Sequence, residues 1–346
     1  MAGKLILEVQ DLRKRFGSTE AVRGVSFSVF EGEVFGLLGP NGAGKTTTIK
    51  MLLSILPPSD GRASVAGYDV ARSGAAVRTV IGWVPQEITV DPYLTGRENL
   101  MLQAGMYHLP RAARAPRVAE LLHLVELDDA ADRIIRTYSG GMKKRLDLAM
   151  GLIHRPRVLF LDEPTLGLDV HTRHRLWEYI LGFRDAGTTV LLTTHYLEEA
   201  DSLCDRIAVI DAGVIQAMGT PDELKRAHGH ESIRLEFPSE GPGDGRANEG
   251  AAEASQSDAG PRTPRVTALE QALAARPEVL AVYRQPHGLW LDVTSHAAAV
   301  PAVLGEAERA GVPLSSIVCQ RPSLDDVFLH LTGYSLRERV QGERIA

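Results

Sequence analysis

Between Leu5 and Phe237, short Val, Ile and Leu runs alternate with stretches of helical period, the pattern of an α/β domain. The strand-like runs are LILEVQDL, VSFSV, VFGLLG, IGWVPQ, VLFLDEP, TVLLTTH and RIAVIDAG. Between Gln86 and Leu152 such runs stop and helix-period segments such as PRVAELLHLVEL replace them. The pattern therefore predicts a helical subdomain, over about 87–152, inserted into a sheet domain spanning 1–237. Residues 238–265 carry no large aliphatic or aromatic side chain, too little to offset the cost of ordering, and read as a flexible linker. Apolar periodicity resumes at Val266. There VTALEQALAARPEVLAVYRQPHGLWLDVTS predicts helix, strand, turn and strand, and AAVPAVLGEAERAG a further helix. A small α+β module of βαβ character is expected over 266–346.

Composition narrows the function classes. The chain has 346 residues, 44% of them hydrophobic and 24% charged, ordinary for a globular protein with a core. Its net charge of -6 argues against DNA or RNA as a main partner. Cys204 and Cys319 are too few for a disulfide framework, and with no signal-peptide pattern at the start a reducing cytosol is expected. No run approaches the roughly 18 apolar residues of a membrane span. Any membrane work would fall to another chain.

Chemistry is concentrated at strand ends. The run EVFGLLG leads into GPNGAGKTT, Gly39 to Thr47, with Gly39, Gly44, Lys45 and Thr46 at phosphate-loop spacing. Such a loop (here Gly39, Pro40, Asn41, Gly42, Ala43 and Gly44) turns backbone N–H groups toward phosphate oxygens at a helix start. Lys45 would meet the β- and γ-phosphates, and Thr46 would ligate Mg²⁺, with Thr47 next in the helix. At the end of VLFLDEP, Asp162 sits where α/β sheets bind ligands and is placed to hold Mg²⁺, while Glu163 can polarise an attacking water. Alone, DEP is as readily a solvated turn; the phosphate loop tips the balance. Gln86 and His195 also close apolar strands, although a lone strand-end histidine is more often packed or solvated than catalytic.

The stretch TYSGGMKKR, 137–145, joins two glycines to good helix formers, so a turn feeds a helix with Ser139 as N-cap and its first amides bare. Its cluster of basic side chains is ordinary for a solvated helix face and weak support for anionic lipid. His171 and His174 stand three apart on an expected helix but lack further ligands, so a solvated face is the better reading. In SLDDVFLHLTG, Asp325 and Asp326 suit a helix N-terminus, with Val327, Phe328 and Leu331 turned inward.

Taken in order, Gly39–Thr47, Gln86, YSGGM, LFLDEP, GLD at 167–169 and TTH at 193–195 resemble the ATP-binding cassette (ABC) ATPases over roughly residues 5–225. LTGRENL, YSGGMKKRLDLA, THYLEEADSLCDRIAVIDAGVI and PSLDDVFLHLTG are similar to the daunorubicin-resistance subgroup. The resemblance implies a P-loop NTPase cassette with a RecA-like core, an antiparallel β subdomain and an inserted helical subdomain, followed by the small α+β module as an accessory element. It implies ATP and Mg²⁺ as cofactors, with Phe16 stacking on adenine where the family usually has Tyr. Gln86 would sense Mg²⁺ and the γ-phosphate and face the permease. Glu163 would be the catalytic carboxylate, His195 the γ-phosphate switch and Asp169 the loop joining two sites. Ser139, Gly140 and Gly141 would close over ATP held by another chain in a head-to-tail dimer of identical or paralogous ATPases. Met142 replaces the commonest Gln of the signature, as is familiar in exporters. The implied partner is a separate ABC-2 type permease, the location the cytoplasmic face of the cell membrane, and the work the export of a drug, lipid or similar amphipathic cargo. A soluble ABC protein of translation or repair, or an importer ATPase with a regulatory tail, fits the motifs less well.

Overall fold

The computed structural model of the chain describes residues 3–229, 231–238, 264–285 and 288–332. It divides into two compact units, Met1–Leu224 with Phe328–Ala346, and Lys225–Val327.

The first unit opens with two long antiparallel strands, β1 (Leu5–Phe16) and β2 (Thr19–Phe30). Then β3 (Val34–Leu38) leads through the phosphate loop into α1 (Lys45–Leu52). Next come β4 (Asp60–Val65), β5 (Tyr68–Asp69), α2 (Gly74–Val80) and β6 (Ile81–Val84). Three α-helices follow without an intervening strand: α3 (Gly96–Met106), α4 (Arg111–Leu124) and α5 (Gly140–Gly151). The sheet resumes with β7 (Val158–Asp162), α6 (Val170–Asp185), β8 (Thr189–Thr194), α7 (Leu197–Leu203), β9 (Arg206–Asp211) and β10 (Val214–Gly219), before α8 (Pro221–His228).

Two sheets result. One is antiparallel, in the order β2-β1-β4-β5. The other runs β10-β9-β3-β8-β7-β6, parallel except for β10 at its edge. Every residue of β3, β7 and β8 is buried, which is why these strands read as unbroken apolar runs rather than alternating ones. Their side chains join those of β1 and β2 in one core that includes Phe27, Phe35 and Phe160.

Helices α3 to α5 are bound by side chains as well as by packing. Thr95 and Glu98 form a reciprocal capping box at the start of α3. Arg145 Nη1 donates to Val125 O at 3.0 Å, at the C-cap of α4, and Arg117 Nη2 donates to Leu152 O at 2.5 Å, at the C-cap of α5. Helix α5 also lies close against β6. A Cβ on Gly82 would stand 2.2 Å from Gly151 O.

The second unit is a β-α-β-β-α-β run: β11 (Glu231–Glu236), α9 (Pro264–Ala274), β12 (Val279–Gln285), β13 (Gly288–Val293), α10 (His296–Ala310) and β14 (Ser316–Gln320). Its sheet order, β12-β13-β11-β14, is that of the ferredoxin-like split βαβ fold. Ile233, Leu235, Leu289 and Leu291 face Leu269, Leu273 and Val303 in a separate core. After it, α11 (Leu324–Thr332) starts on a reciprocal pair: Asp326 N donates to Ser323 Oγ at 3.3 Å, and Ser323 N to Asp326 Oδ2 at 2.8 Å. Leu324, Val327 and Phe328 are buried, while Leu331 is half-buried.

Two positions differ from the sequence reading. Glu231–Glu236, expected within the 1–237 sheet domain, pairs with β13 and β14 of the small module, because its apolar alternation suits either sheet and only long-range pairing chooses. Pro264 and Arg265, expected in the linker, form the first turn of α9, where proline's missing N–H costs nothing. The remainder of that segment, 239–263, lies outside the described residues.

Gly82→Ala should destabilise the first unit by about 1–3 kcal/mol through forced separation of β6 and α5. A urea midpoint within error of the wild-type value would contradict this.

Candidate active site

The phosphate loop depends on two glycines that no other residue could replace. Gly44, just before α1, has φ 101°, and a Cβ there would lie 2.6 Å from Ala21 O. A Cβ on Gly39 would lie 2.1 Å from Ile210 O. With glycine as its N-cap, α1 begins without a side-chain cap, so its first amides and the positive end of its dipole face the cleft. Lys45 is buried and its ammonium is held by Gly39 O at 2.7 Å and Pro40 O at 3.0 Å.

The parallel register of β7 and β8 sets Asp162 beside Thr193. Thr193 Oγ1 donates to Asp162 Oδ1 at 2.6 Å, and Thr46 Oγ1 donates to the same oxygen at 3.1 Å. Glu163 follows in the left-handed region at φ 48°, a strained conformation for a non-glycine residue. It is held there by its N–H, which is 3.1 Å from both the carbonyl and the hydroxyl oxygen of Thr193. The turn aims its carboxylate into the cleft, with Oε1 3.3 Å from Lys45 Nζ and Oε2 3.2 Å from His195 Nδ1. Burial pushes this carboxyl up, but His195 and Lys45 outweigh burial and hold it below the usual carboxylate range.

These groups border a cleft of about 690 Å³, lined by Pro40–Thr47 together with Ala21, Gln86, Glu163, Leu166, His195 and Tyr196. Lys45, Thr46, Gln86, Asp162, Glu163 and His195 are thus brought together, with Asp162 reaching the site through Thr46. Phe16 is outside that lining. It is half exposed at the end of β1 with Lys14 Nζ 5.2 Å above its ring, while Ala21 of β2 borders the cleft.

The signature residues are elsewhere. Ser139 caps α5, accepting from Met142 N at 3.2 Å, and Ser139 and Gly140 are exposed outside the cleft. A Cβ on Gly140 would meet nothing within 4 Å, but one on Gly141 would stand 2.6 Å from Thr172 Cγ2. Thr172 is bound to Asp169, whose carboxylate accepts from Thr172 N at 2.9 Å and Thr172 Oγ1 at 2.7 Å. The signature and Asp169 therefore form one continuous exposed edge.

Residues 22–166 match the ABC transporter family. The chain is 42% identical to a daunorubicin resistance ATP-binding protein of Streptomyces coeruleorubidus, over 94% of this chain and 96% of that one. It is 37% identical to the linearmycin resistance ATP-binding protein of Bacillus subtilis, over 96% and 100%. A solved ATP-binding subunit of an ABC transporter superposes with a TM-score of 0.59 at 32% identity, covering 65% of this chain and 93% of that one. The chain belongs to the ABC transporter family. It is an ABC ATPase, and the fold of its first unit is the ABC cassette.

Within the cassette, several functional positions escaped sequence reasoning. Thr193 was visible only as part of TTH; its grip on Asp162 and Glu163 comes from strand register. The basic run at 143–145 is not a solvated face: Lys144 is buried and Arg145 caps α4. His171 and His174 are both exposed, His174 edge-on to Trp177 at 4.6 Å, and no group of three or more His, Cys, Asp or Glu among the described residues could hold a metal. Thr46 and Asp162 supply hard oxygen donors, a set that suits an ion taking its other ligands from phosphate and water. No described helix is long and apolar enough to cross a membrane.

Glu199 was also missed. It is fully buried on α7, accepting from Thr165 Oγ1 at 2.8 Å and Trp177 Nε1 at 3.2 Å. It thereby ties the segment after Glu163 to the helix after His195. Burial pushes its carboxyl up. An acid raised on folding contributes stability at low pH that is lost as pH rises through its folded-state value. Glu199→Gln keeps an acceptor for both donors and has no proton to lose. Its urea midpoint relative to wild type should therefore improve as pH rises above the ordinary carboxylate range. A constant difference as pH rises would refute the buried-acid reading.

Proposed function

We propose that this chain is the ATP-hydrolysing subunit of an ABC exporter and works as a head-to-tail pair on a separate ABC-2 type permease at the cytoplasmic face of the membrane. Its cargo class is a drug, lipid or similar small amphipathic molecule, as the resistance names of its relatives suggest. One observation carries the two-chain reading. The phosphate loop, Gln86, Glu163 and His195 share a cleft, whereas the helix start at Ser139, Gly140 and Gly141 lies outside it, with Ser139 and Gly140 exposed and Gly141 half-buried. A helix start with exposed glycine amides suits an anion, and the γ-phosphate bound by the opposing chain supplies one.

In this reading Phe16 stacks on adenine and Gly39–Thr47 surround the phosphates. Lys45 exchanges its carbonyl partners for the β- and γ-phosphate oxygens. Thr46, Asp162 and Gln86 would hold Mg²⁺, which supplies charge neutralisation on the β- and γ-phosphates when bound. Glu163, kept ionised by His195 and Lys45, accepts a proton from the attacking water. Water oxygen bonds to the γ-phosphorus as the bond to the β,γ-bridging oxygen breaks and leaves with ADP; the proton taken by Glu163 passes to solvent, and charge separation loosens the dimer. His195, 3.2 Å from Glu163, faces the γ-phosphate. Asp169 carries the state of one site to the other along the edge it shares with Gly141 through Thr172.

Glu163→Gln should lower turnover by about 10²–10⁴-fold while ATP binding is retained and an ATP-bound dimer accumulates. Wild-type hydrolysis would remove Glu163 as the base. Ser139→Arg and Lys45→Ala chains, each inactive alone, should regain hydrolysis when mixed, because one composite site is then intact. No recovery on mixing would contradict the two-chain arrangement.

A further inference from the structure

The helix that carries the signature also holds a buried charge that the catalytic reading does not use. Lys144, 4% exposed, lies on α5 one turn past Gly140 and Gly141. Its ammonium leaves the helix and donates to Pro85 O at 2.9 Å and Gln86 O at 3.4 Å. One turn further along α5, Asp147 is 2% exposed and accepts from Thr89 Oγ1 at 2.5 Å and Thr89 N at 3.4 Å. Its Oδ2 has no hydrogen-bond partner and faces Lys144 Nζ at 4.0 Å. Two adjacent turns of the signature helix thus grip both ends of the short segment 85–89, on which Gln86 reaches the cleft.

We propose that Lys144 and Asp147 form a positioning latch that makes the Gln86 segment and the signature helix move as one body. The inference rests on the two-chain reading above. Gln86 faces the ATP held by its own chain, and Ser139–Gly141 face the ATP held by the other. A rigid joint between them lets the engagement of one nucleotide set the angle at which the same chain meets the second. The rest of α5 is suited to this. Gly82 and Gly151 allow close contact with β6, whose end leads directly into Pro85 and Gln86. A buried pair of opposite charges is a costly way to join two elements if only stability is required. Carbonyl acceptors accept Lys144 only where the backbone of the 85–89 segment is correctly placed, which makes the bond a register lock.

The test uses the full chain. Lys144→Met alone would leave Asp147 buried without its cation and could fail to fold, so the principal variant is Lys144→Met with Asp147→Asn. That variant keeps the Thr89 acceptor and contains no unpaired charge. The latch requires kcat for ATP hydrolysis to fall about 10- to 100-fold, KM and single-chain nucleotide affinity to stay within about twofold, and the thermal midpoint to stay near that of wild type. In a Glu163→Gln background, gel filtration with ATP should show a dimer for Glu163→Gln alone and monomer for the triple variant. Recovery of wild-type kcat in the charge-free variant would overturn the latch and leave Lys144 as a simple counterion to Asp147. Dimers of equal stability in both backgrounds would overturn it as well. Failure of Glu163→Gln alone to dimerise would instead overturn the two-chain reading beneath it.

Discussion

The parallel hydrogen bonding of Val158–Asp162 to Thr189–Thr194, and of Thr189–Thr194 to Val34–Leu38, is the constraint on which the site depends. Three fully buried strands end at the same edge, so the polar residues that terminate them are delivered to one place. Asp162 and Glu163 come from the second strand, His195 from the third, and the phosphate loop from the first. Thr193 converts this register into catalytic geometry, since its hydroxyl holds Asp162 and its carbonyl fixes the strained turn at Glu163. The strain at Glu163 is sustained by strands that have no freedom to slide, because every residue in them is packed in the interior and a one-residue slip would misplace them all.

Electrostatics at this edge is organised around the Glu163 carboxylate and its two nitrogen neighbours, Lys45 and His195. Lys45 and His195 stand within 3.3 Å of the two oxygens of Glu163, and together they hold below the usual range a carboxyl that burial alone would raise. Glu199, a few residues beyond His195, shows the opposite outcome: its partners are neutral donors, Thr165 and Trp177, and burial prevails. Two buried glutamates on neighbouring segments thus differ because Glu163 has Lys45 and His195 at contact distance, whereas Glu199 is met by hydroxyl and indole donors.

The exposed start of α5 is intelligible in the same terms. Its first amides lack an acceptor within the cleft of the same chain, and the helix behind them is fixed by Arg117 and Lys144 rather than left to solvent. A surface prepared in this way favours a partner that brings negative charge. The small second unit has its own sheet and core.

Local chemistry was legible without coordinates. Gly39, Gly44, Lys45 and Thr46 must be spaced as they are, because backbone amides, a cation and a hydroxyl have to meet one phosphate chain. Unbroken apolar runs ending in Asp162, Gln86 and His195 reported buried parallel strands for the same reason. What escaped was whatever depends on distant segments meeting. The alternating residues of Glu231–Glu236 are equally suited to two sheets, and hydrogen-bonded neighbours assigned them to the second. Lys144 looked like any lysine on a helix face, since its identity says nothing about the carbonyls of Pro85 and Gln86 some sixty positions earlier. Residue type and spacing therefore determined which chemistry the chain can perform. Only the folded arrangement decided which charges are buried and paired, because burial and pairing are properties of contacts between segments, not of the segments themselves.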